Sequence, residues 1–368
     1  MTGRVLFRTD ASLEIGTGHI MRCLTLADGL AGQGSESLFL CREHPGHLAD
    51  LIVSRGHKVK CLRRPLEPIE MLGAQVPPHA AWLGVPWLKD ASESARYIAE
   101  YSPSWVVVDH YGLDHRWQDV AVTKSSKILV IDDLADRQHS ADLLLDQNLG
   151  RQKGDYDHLV PSGCCRLIGP DYALLRPQFA ASREQTLERR EAAQISHIMI
   201  SLGGVDRDNV TMRILDMLAR LEIKWLERIT VVLGASAPWV EPVQARARRM
   251  PVSTQVVVGS SDMSSIMSGA DLCIGGAGTT SWERCCLGLP TFIVTLADNQ
   301  QSAATALQEA GAAISLGRPE MDDFELRFSG AFRALVSPDA YRSLARKAAA
   351  VCDGEGTSRV LKHMQEQE

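Results

Sequence analysis

The sequence contains no apolar run approaching the ~20 residues a membrane-spanning helix needs, and no charged segment leading into an apolar stretch near Met1. Neither a span nor a secretory leader is therefore expected. It also lacks an excess of basic charge. Against 45 Asp and Glu it carries 39 Lys and Arg, a formal charge of −6, which excludes the dense basic face of a nucleic-acid-binding surface. The basic clusters at 183–190 and 246–249 are interrupted or flanked by acidic and apolar residues and read as solvated helix faces. Among 9 cysteines there is no CxxC pair, and no histidine-rich ligand spacing accompanies them, so a structural zinc site has no support. Several cysteines (Cys61, Cys273, Cys286) lie in apolar stretches instead, as small buried hydrophobes of a reduced, cytoplasmic protein.

What the sequence does contain is enough apolar material for two cores. At 368 residues, 45% hydrophobic and 23% charged, it exceeds one ordinary α/β domain and suits two of middling size. Short apolar runs alternate with helical spacing, the pattern of repeated β–α units and parallel sheets. Strands are expected at 4–7, 37–41, 58–62, 105–108, 128–131 and 143–145, and again at 195–201, 229–233, 254–258, 272–274, 291–294 and 312–316. Pro65, Pro68, Pro77, Pro78 and Pro86 make residues 63–90 a long loop or irregular insertion, the kind of segment that carries substrate contacts. The charged run 185–194 reads as an interdomain linker. The expected domains are thus 1–184 and 195–368, the second ending in helices beyond residue 322. The fold class is α/β, with two Rossmann-like domains.

Chemistry-bearing residues gather where strands end. The first strand runs into Arg8 and Asp10, and the loop Gly16-Thr17-Gly18-His19 opens the first helix. Two glycines let backbone pass close to a ligand, and the helix start offers unpaired N–H groups. A dinucleotide fingerprint would need a third glycine at position 21, where the chain has Met21, so a dehydrogenase is not supported. On the residues alone His19 is either a helix-opening histidine or a site group. The fourth strand leads into Asp109, His110 and Tyr111, and the fifth into Asp132 and Asp133. Ligands of open α/β sheets bind at that carboxyl edge, though Asp132 or Asp133 could equally cap a helix.

The second half repeats the arrangement with different residues. Its first strand ends in Gly203 and Gly204, with Asn209 opening the next helix. Further on, Gly278, Thr279, Thr280 and Ser281 form a glycine- and hydroxyl-rich turn into a helix, a recipe for holding a diphosphate. Glu283, within the first turn of that helix, is placed to accept from two ribose hydroxyls, and Asn299 and Gln300 follow a later strand. No metal or other cofactor is expected, Asp132-Asp133 being the one pair that could supply a metal. No obligatory protein partner is inferred.

The runs FRTDASLEIGTGHIMRCLTLA (7–27), VVDHYGLDHRW (107–117), VIDDLADRQH (130–139), GPDYALLRPQF (169–179), SLGGVDRDN (201–209) and IGGAGTTSWERCCLGLP (274–290) carry a narrower signal. Together they resemble the UDP-2,4-diacetamido-2,4,6-trideoxy-β-L-altropyranose hydrolase family of pseudaminic acid biosynthesis. More broadly the chain resembles the GT-B fold of the lipid II-forming N-acetylglucosaminyltransferase, whose two Rossmann-like domains face across a cleft. The resemblance implies a UDP-sugar substrate cleaved by water with inversion at the anomeric carbon. It implies His19 as the base and Arg176, Asn209 and Glu283 as UDP contacts. UDP is a good leaving group, so the paired carboxyls of ordinary glycosidases are not required. Either Asp10 or Asp109 is left to orient the His19 ring. The rival readings are a GT-B glycosyltransferase, a hydrolysing UDP-sugar 2-epimerase and a non-catalytic nucleotide-sugar binder.

Overall fold

The computed structural model describes residues 3–65, 77, 79–221, 223–335 and 337–367. The chain forms two compact units, Met1–Leu174 with Gly356–Glu368, and Leu175–Glu355. This division differs from the expected one at both ends of the second domain.

In the first unit, β1 (Arg4–Thr9), α1 (Gly18–Gly32), β2 (Glu36–Arg42), α2 (Ala49–Ser54) and β3 (Lys58–Leu62) are followed by α3 (Trp87–Tyr101), β4 (Trp105–Asp109), α4 (His115–Ala121), β5 (Lys127–Ile131), β6 (Leu143–Asp146) and β7 (Cys165–Ile168). The seven strands are all parallel, in the order β3-β2-β1-β4-β5-β6-β7. Both faces are covered, as near-continuous apolar strands require. Alternation along β1 sends Val5 and Phe7 to one core, with Leu24 and Ala27 of α1, and Leu6 to the other, with Ala91 and Ile98 of α3 and Trp117 of α4. Part of the proline-containing stretch expected to be irregular, residues 66–76 and 78, lies outside the described residues. Beyond it Ala80–Leu83 form a 3₁₀ turn before α3.

The second unit opens with α5 (Pro177–Glu191), which occupies most of the segment expected to be a linker. Its charges are not there for solvation alone. Arg183 donates to the carbonyls of Cys286, Ala349 and Cys352, and Arg190 to those of Met267 and Ala270. Cys286 and Ala349 are the last residues of their helices and Ala270 follows the last turn of the helix Met263–Gly269, where carbonyls run out of intrahelical partners. The unit continues through β8 (His197–Ser201), α6 (Val210–Arg220), β9 (Arg228–Leu233), α7 (Val240–Ala247), β10 (Ser253–Val258), α8 (Met263–Gly269), β11 (Leu272–Gly276), α9 (Thr280–Cys286), β12 (Thr291–Val294), α10 (Gln301–Glu309), β13 (Ile314–Gly317), α11 (Phe324–Ala334) and α12 (Pro338–Ala349). Its six-stranded parallel sheet runs β10-β9-β8-β11-β12-β13. The chain then returns to the first unit as α13 (Gly356–Glu366), where Val360, Leu361 and Met364 join the core beside α1. Among the described residues, no helix is long and apolar enough to cross a membrane.

Each sheet reverses its winding once, between β1 and β4 in the first unit and between β8 and β11 in the second. Helices leave to opposite faces at such a point, so the loops there part and leave a crevice at the carboxyl edge. The loop after β1 leads to His19 at the start of α1 and that after β4 carries Tyr111, with Asp109 closing β4. Those after β8 and β11 carry Asn209 and the turn leading to Glu283.

Candidate active site

In the first unit the loop from β1 to α1 turns at Gly16, whose φ of +83° is a backbone state that side chains disfavour. It delivers Gly18 and His19 into the first turn of α1, where Thr17 is the N-cap without a side-chain capping bond. His19 is 8% exposed. Its Nδ1 lies 2.6 Å from Asp109 Oδ1 at the end of β4. Thr9 and Asp109 are register partners in adjacent strands, which brings the β4 terminus alongside the loop leaving β1.

One turn further along α1, Arg22 faces the same way, as the i,i+3 spacing dictates. Its Nε donates to Asp109 Oδ2 at 2.7 Å and its Nη2 to Oδ1 at 2.7 Å. Nη1 reaches Asp133 Oδ2 at 2.7 Å. Burial alone would raise the Asp109 pKa, but Arg22 and His19 more than offset it and hold the carboxyl well below the usual range. An ionised carboxylate only accepts, so the contact with Asp109 favours the neutral tautomer with the proton on Nδ1 and the lone pair on Nε2, with Arg22 Nη2 standing 3.3 Å from the same Nδ1. Nε2 has no hydrogen-bond partner among the described residues. The Tyr111 hydroxyl donates to Asp133 Oδ2, and the Tyr111 ring packs edge-on against His19, with centroids 4.6 Å apart at 83°. Trp82 and His79 pack against the same Tyr111 ring.

Arg8 and Asp10, expected beside His19 in the site, lie elsewhere. Both are 0% exposed. Arg8 forks onto Asp90 at 3.0 and 2.7 Å and pairs with Asp10 at 2.8 Å. Asp10 Oδ1 also accepts from the Arg42 amide at 2.6 Å. Arg42 Nη2 completes the interior network on Asp90 at 2.6 Å. Asp10 therefore does not contact His19, and the acid that does is Asp109. His110 belongs with this interior layer, 3% exposed, its Nδ1 accepting from the Gly112 amide and its Nε2 3.4 Å from Asp10 Oδ2. Burial lowers its pKa, which keeps it neutral.

Asp132 and Asp133 point to different partners. Asp132 accepts from the Ala135 amide at 2.8 Å and pairs with Arg137, while Asp133 serves Arg22, Tyr111 and Asn148. Among the described residues, no group of three or more His, Cys, Asp or Glu is arranged to hold a metal ion. Asp146, at the end of β6, takes Asn148, Arg151 and Tyr156, yet burial and then the nearby Asp133 push its pKa up to about 7. A carboxyl raised on folding makes the folded state bind more protons, so stability falls as pH rises. Asp146→Asn is accordingly expected to be the more stable protein at neutral pH. The gap should open from the unfolded value near ~4, widen to about 7 and then stay constant. Urea midpoints measured across that range check this, and parallel curves for the two proteins would refute it.

In the second unit, Arg176 precedes α5 and stacks over Phe179. It donates to the Ser261 carbonyl at 2.7 Å and stands 3.6 Å from Glu283 Oε1. Glu283 Oε2 is buried without a partner, and so is Asn209 Oδ1. Burial pushes the Glu283 carboxyl up, against the opposing pull of Arg176 and Arg284. Unpartnered buried acceptors are expensive in a folded protein, and here both stand beside the switch point. Asn209 has a left-handed backbone (φ +52°), while Asp206 takes over the capping of α6 through the Val210 and Thr211 amides. Gly203 and Gly204 lead into this loop, Gly203 exposed.

Other expected groups are already engaged. Arg284, 1% exposed, donates to Ser281 Oγ at 2.9 Å, the Gly276 carbonyl at 2.6 Å and Thr280 Oγ1 at 3.3 Å. A Cβ on Gly275 would lie 2.4 Å from its guanidinium, so part of the glycine-rich turn is shaped by an interior arginine. Gly278 and Thr279 remain half-buried with no such tie. Gln300 accepts from the Leu296 amide and Asn299 is exposed.

No family model matches the chain. It is 26% identical over 309 residues to a UDP-2,4-diacetamido-2,4,6-trideoxy-β-L-altropyranose hydrolase of Campylobacter jejuni, covering 84% of this chain and 97% of that one. It is 28% identical over 198 residues to the spore coat polysaccharide biosynthesis protein SpsG of Bacillus subtilis, covering 54% of this chain and a little over half, 57%, of that protein. Among solved structures, MurG of Acinetobacter baumannii superposes with a TM-score of 0.67 at 18% identity, over 99% of both chains. With two parallel-sheet Rossmann-like domains matched from end to end by MurG, the chain has the GT-B fold, and by sequence it is similar to the Campylobacter hydrolase and to SpsG.

Proposed function

We propose that this protein hydrolyses a UDP-linked diacetamido-trideoxy hexose to UDP and the free sugar, with His19 as the general base. The observation that carries the reading is the His19–Asp109 contact of 2.6 Å, which leaves Nε2 as an unengaged acceptor. Nε2 removes a proton from water, the water oxygen bonds to the anomeric carbon from the face opposite UDP, and the anomeric C–O bond breaks. Its electron pair leaves on the β-phosphate oxygen of UDP, and the proton stays on His19 until solvent takes it. No acid is needed at the leaving oxygen, because diphosphate already carries the charge well. The name of the Campylobacter relative, similar over 84% of this chain, supports the choice of sugar.

UDP release from UDP-2,4-diacetamido-2,4,6-trideoxy-β-L-altropyranose, followed with no acceptor present, tests the proposal. Release only when an acceptor alcohol is added would indicate a transferase, and a 2-epimerised sugar product would indicate an epimerase. Binding without turnover would indicate a sensor.

The UDP contacts are assigned to the second unit, with the ribose hydroxyls donating to Glu283. Glu283→Ala is then expected to weaken UDP binding roughly ten- to hundredfold, the worth of charge-assisted hydrogen bonds in a buried place. Since burial raises this carboxyl and the hydroxyls favour its ionised form, UDP affinity should rise with pH through the raised value. Glu283→Gln, carrying the same UDP phosphates, is the control that isolates the effect. Calorimetric titration reads both, and an unchanged dissociation constant in Glu283→Ala would remove the residue from the nucleotide site.

A further inference from the structure

The contacts around His19 close on themselves. His19 Nδ1 meets Asp109 Oδ1 at 2.6 Å and Asp109 takes both arms of the Arg22 fork at 2.7 Å. Arg22 Nη1 reaches Asp133 Oδ2 at 2.7 Å, Asp133 accepts the Tyr111 hydroxyl, and the Tyr111 ring packs back on His19 at 4.6 Å. Four of the five residues are below a tenth exposed, and the fifth, Asp133, is half-buried. Asp109 Oδ1 is the vertex, since the imidazole N–H and Arg22 Nη2 converge on that one oxygen.

From this closed circuit we propose that Arg22 is the positioning residue of the site, fixing the Asp109 carboxylate against His19 Nδ1 and coupling that pair to Asp133 and Tyr111. The proposal rests on the base role assigned to His19 above. Burying a guanidinium is costly, and a well-packed apolar side chain is often as stable in such a position, so what the arginine contributes is the geometry it holds. A lysine would offer the charge as a point. Only the planar fork can grip both carboxylate oxygens while a third nitrogen reaches a second acid. Without the fork, burial favours the protonated acid. A neutral Asp109 can rotate and no longer dictates which ring nitrogen carries the proton. Arg22 touches no reacting atom in this scheme: it acts through Asp109, and its Nη2 also stands 3.3 Å from His19 Nδ1, the ring nitrogen that does not take the proton from water.

The test combines proton NMR of the substrate-free protein, carrying isotope-labelled histidine, with steady-state kinetics on Arg22→Gln, Arg22→Lys and Tyr111→Phe. The intact protein should show a strongly downfield Nδ1–H resonance for His19, lost in His19→Ala. In Arg22→Gln that resonance should vanish or move upfield, and kcat should fall about 100-fold, the scale of a misplaced catalytic group. KM should stay within about twofold. Arg22→Lys, which keeps the charge, should still fall short of the wild-type kcat by about tenfold or more. Tyr111→Phe, losing only the hydroxyl, should fold normally and lose about three- to tenfold in kcat, so the circuit stays testable if the arginine variants misfold. Wild-type kcat in Arg22→Lys, or an unshifted resonance in Arg22→Gln, overturns the proposal. Because the resonance needs no substrate, it decides the positioning role even if the protein hydrolyses no UDP-sugar, an outcome that would sink only the proposed function.

Discussion

His19→Ala is expected to lose roughly 100- to 10,000-fold in turnover while its affinity for UDP stays nearly unchanged. The size of the loss follows from removing the one unengaged base beside Asp109, leaving water to attack at its own nucleophilicity. UDP affinity should persist because the groups assigned to the nucleotide, Asn209 and Glu283 with Arg176, all belong to the second unit, whereas His19 belongs to the first. A variant retaining more than about a tenth of wild-type turnover would remove His19 from the base role. If UDP binding weakened as much as in Glu283→Ala, the glycine loop would be a nucleotide site instead.

The largest effect on stability is expected at a residue away from the chemistry. Asp90 lies in the first turn of α3 and is 0% exposed. Its two oxygens accept from Arg8 at 3.0 and 2.7 Å, Arg42 at 2.6 Å, Trp117 Nε1 at 2.9 Å and Ser94 at 3.3 Å. Asp90→Ala would strand two guanidinium groups inside the protein. Breaking a buried pair by removing one partner costs about 3–5 kcal/mol, and here one carboxylate serves two arginines. Removing Asp216, which pairs with Arg246 at the surface, should be close to neutral by comparison. Denaturant midpoints of the two variants make the contrast, and a change under ~1 kcal/mol in Asp90→Ala would show that Asp10 and Glu93 suffice for Arg8 and Arg42.

Much of the fold is legible because parallel strands buried on both faces are written as short apolar runs. The segments 58–62 and 291–294 coincide with β3 and β12, and most other expected strands fall within a residue or two of the observed ends. What escaped was local in a different way. Strand β7, Cys165–Ile168, is a four-residue edge strand, three residues half-buried and only Leu167 buried, and Arg166 interrupts any apolar run that could announce it. The charged segment 185–194 resembled a linker because nothing in the sequence says that its arginines bond carbonyls far along the chain. In the site, strand ends pointed to acids and histidines but could not rank them. Asp10 follows the last residue of β1 and Asp109 closes the neighbouring β4, and nothing in the sequence separates the one that meets His19 from the one enclosed with Arg8. Arg22 had a signal, its position one turn from His19, yet an arginine on a helix is ordinarily a surface residue. Asp90 had none, lying 82 residues from the Arg8 it neutralises.

The return of the chain to the first unit as α13 has a consequence for the order of synthesis. Residues 175–355 are in effect an insertion into the first unit, whose sequence is interrupted after Leu174 and resumes at Gly356. The ribosome must therefore complete the whole inserted unit before the helix that packs on α1 exists. Until then the face of α1 that receives Val360, Leu361 and Met364 stays open, three apolar side chains worth about 1.5–3 kcal/mol each when buried. The inserted unit can finish folding first, while the half that emerged earlier waits, and a nascent chain halted before residue 356 would present chaperones with an uncovered α1.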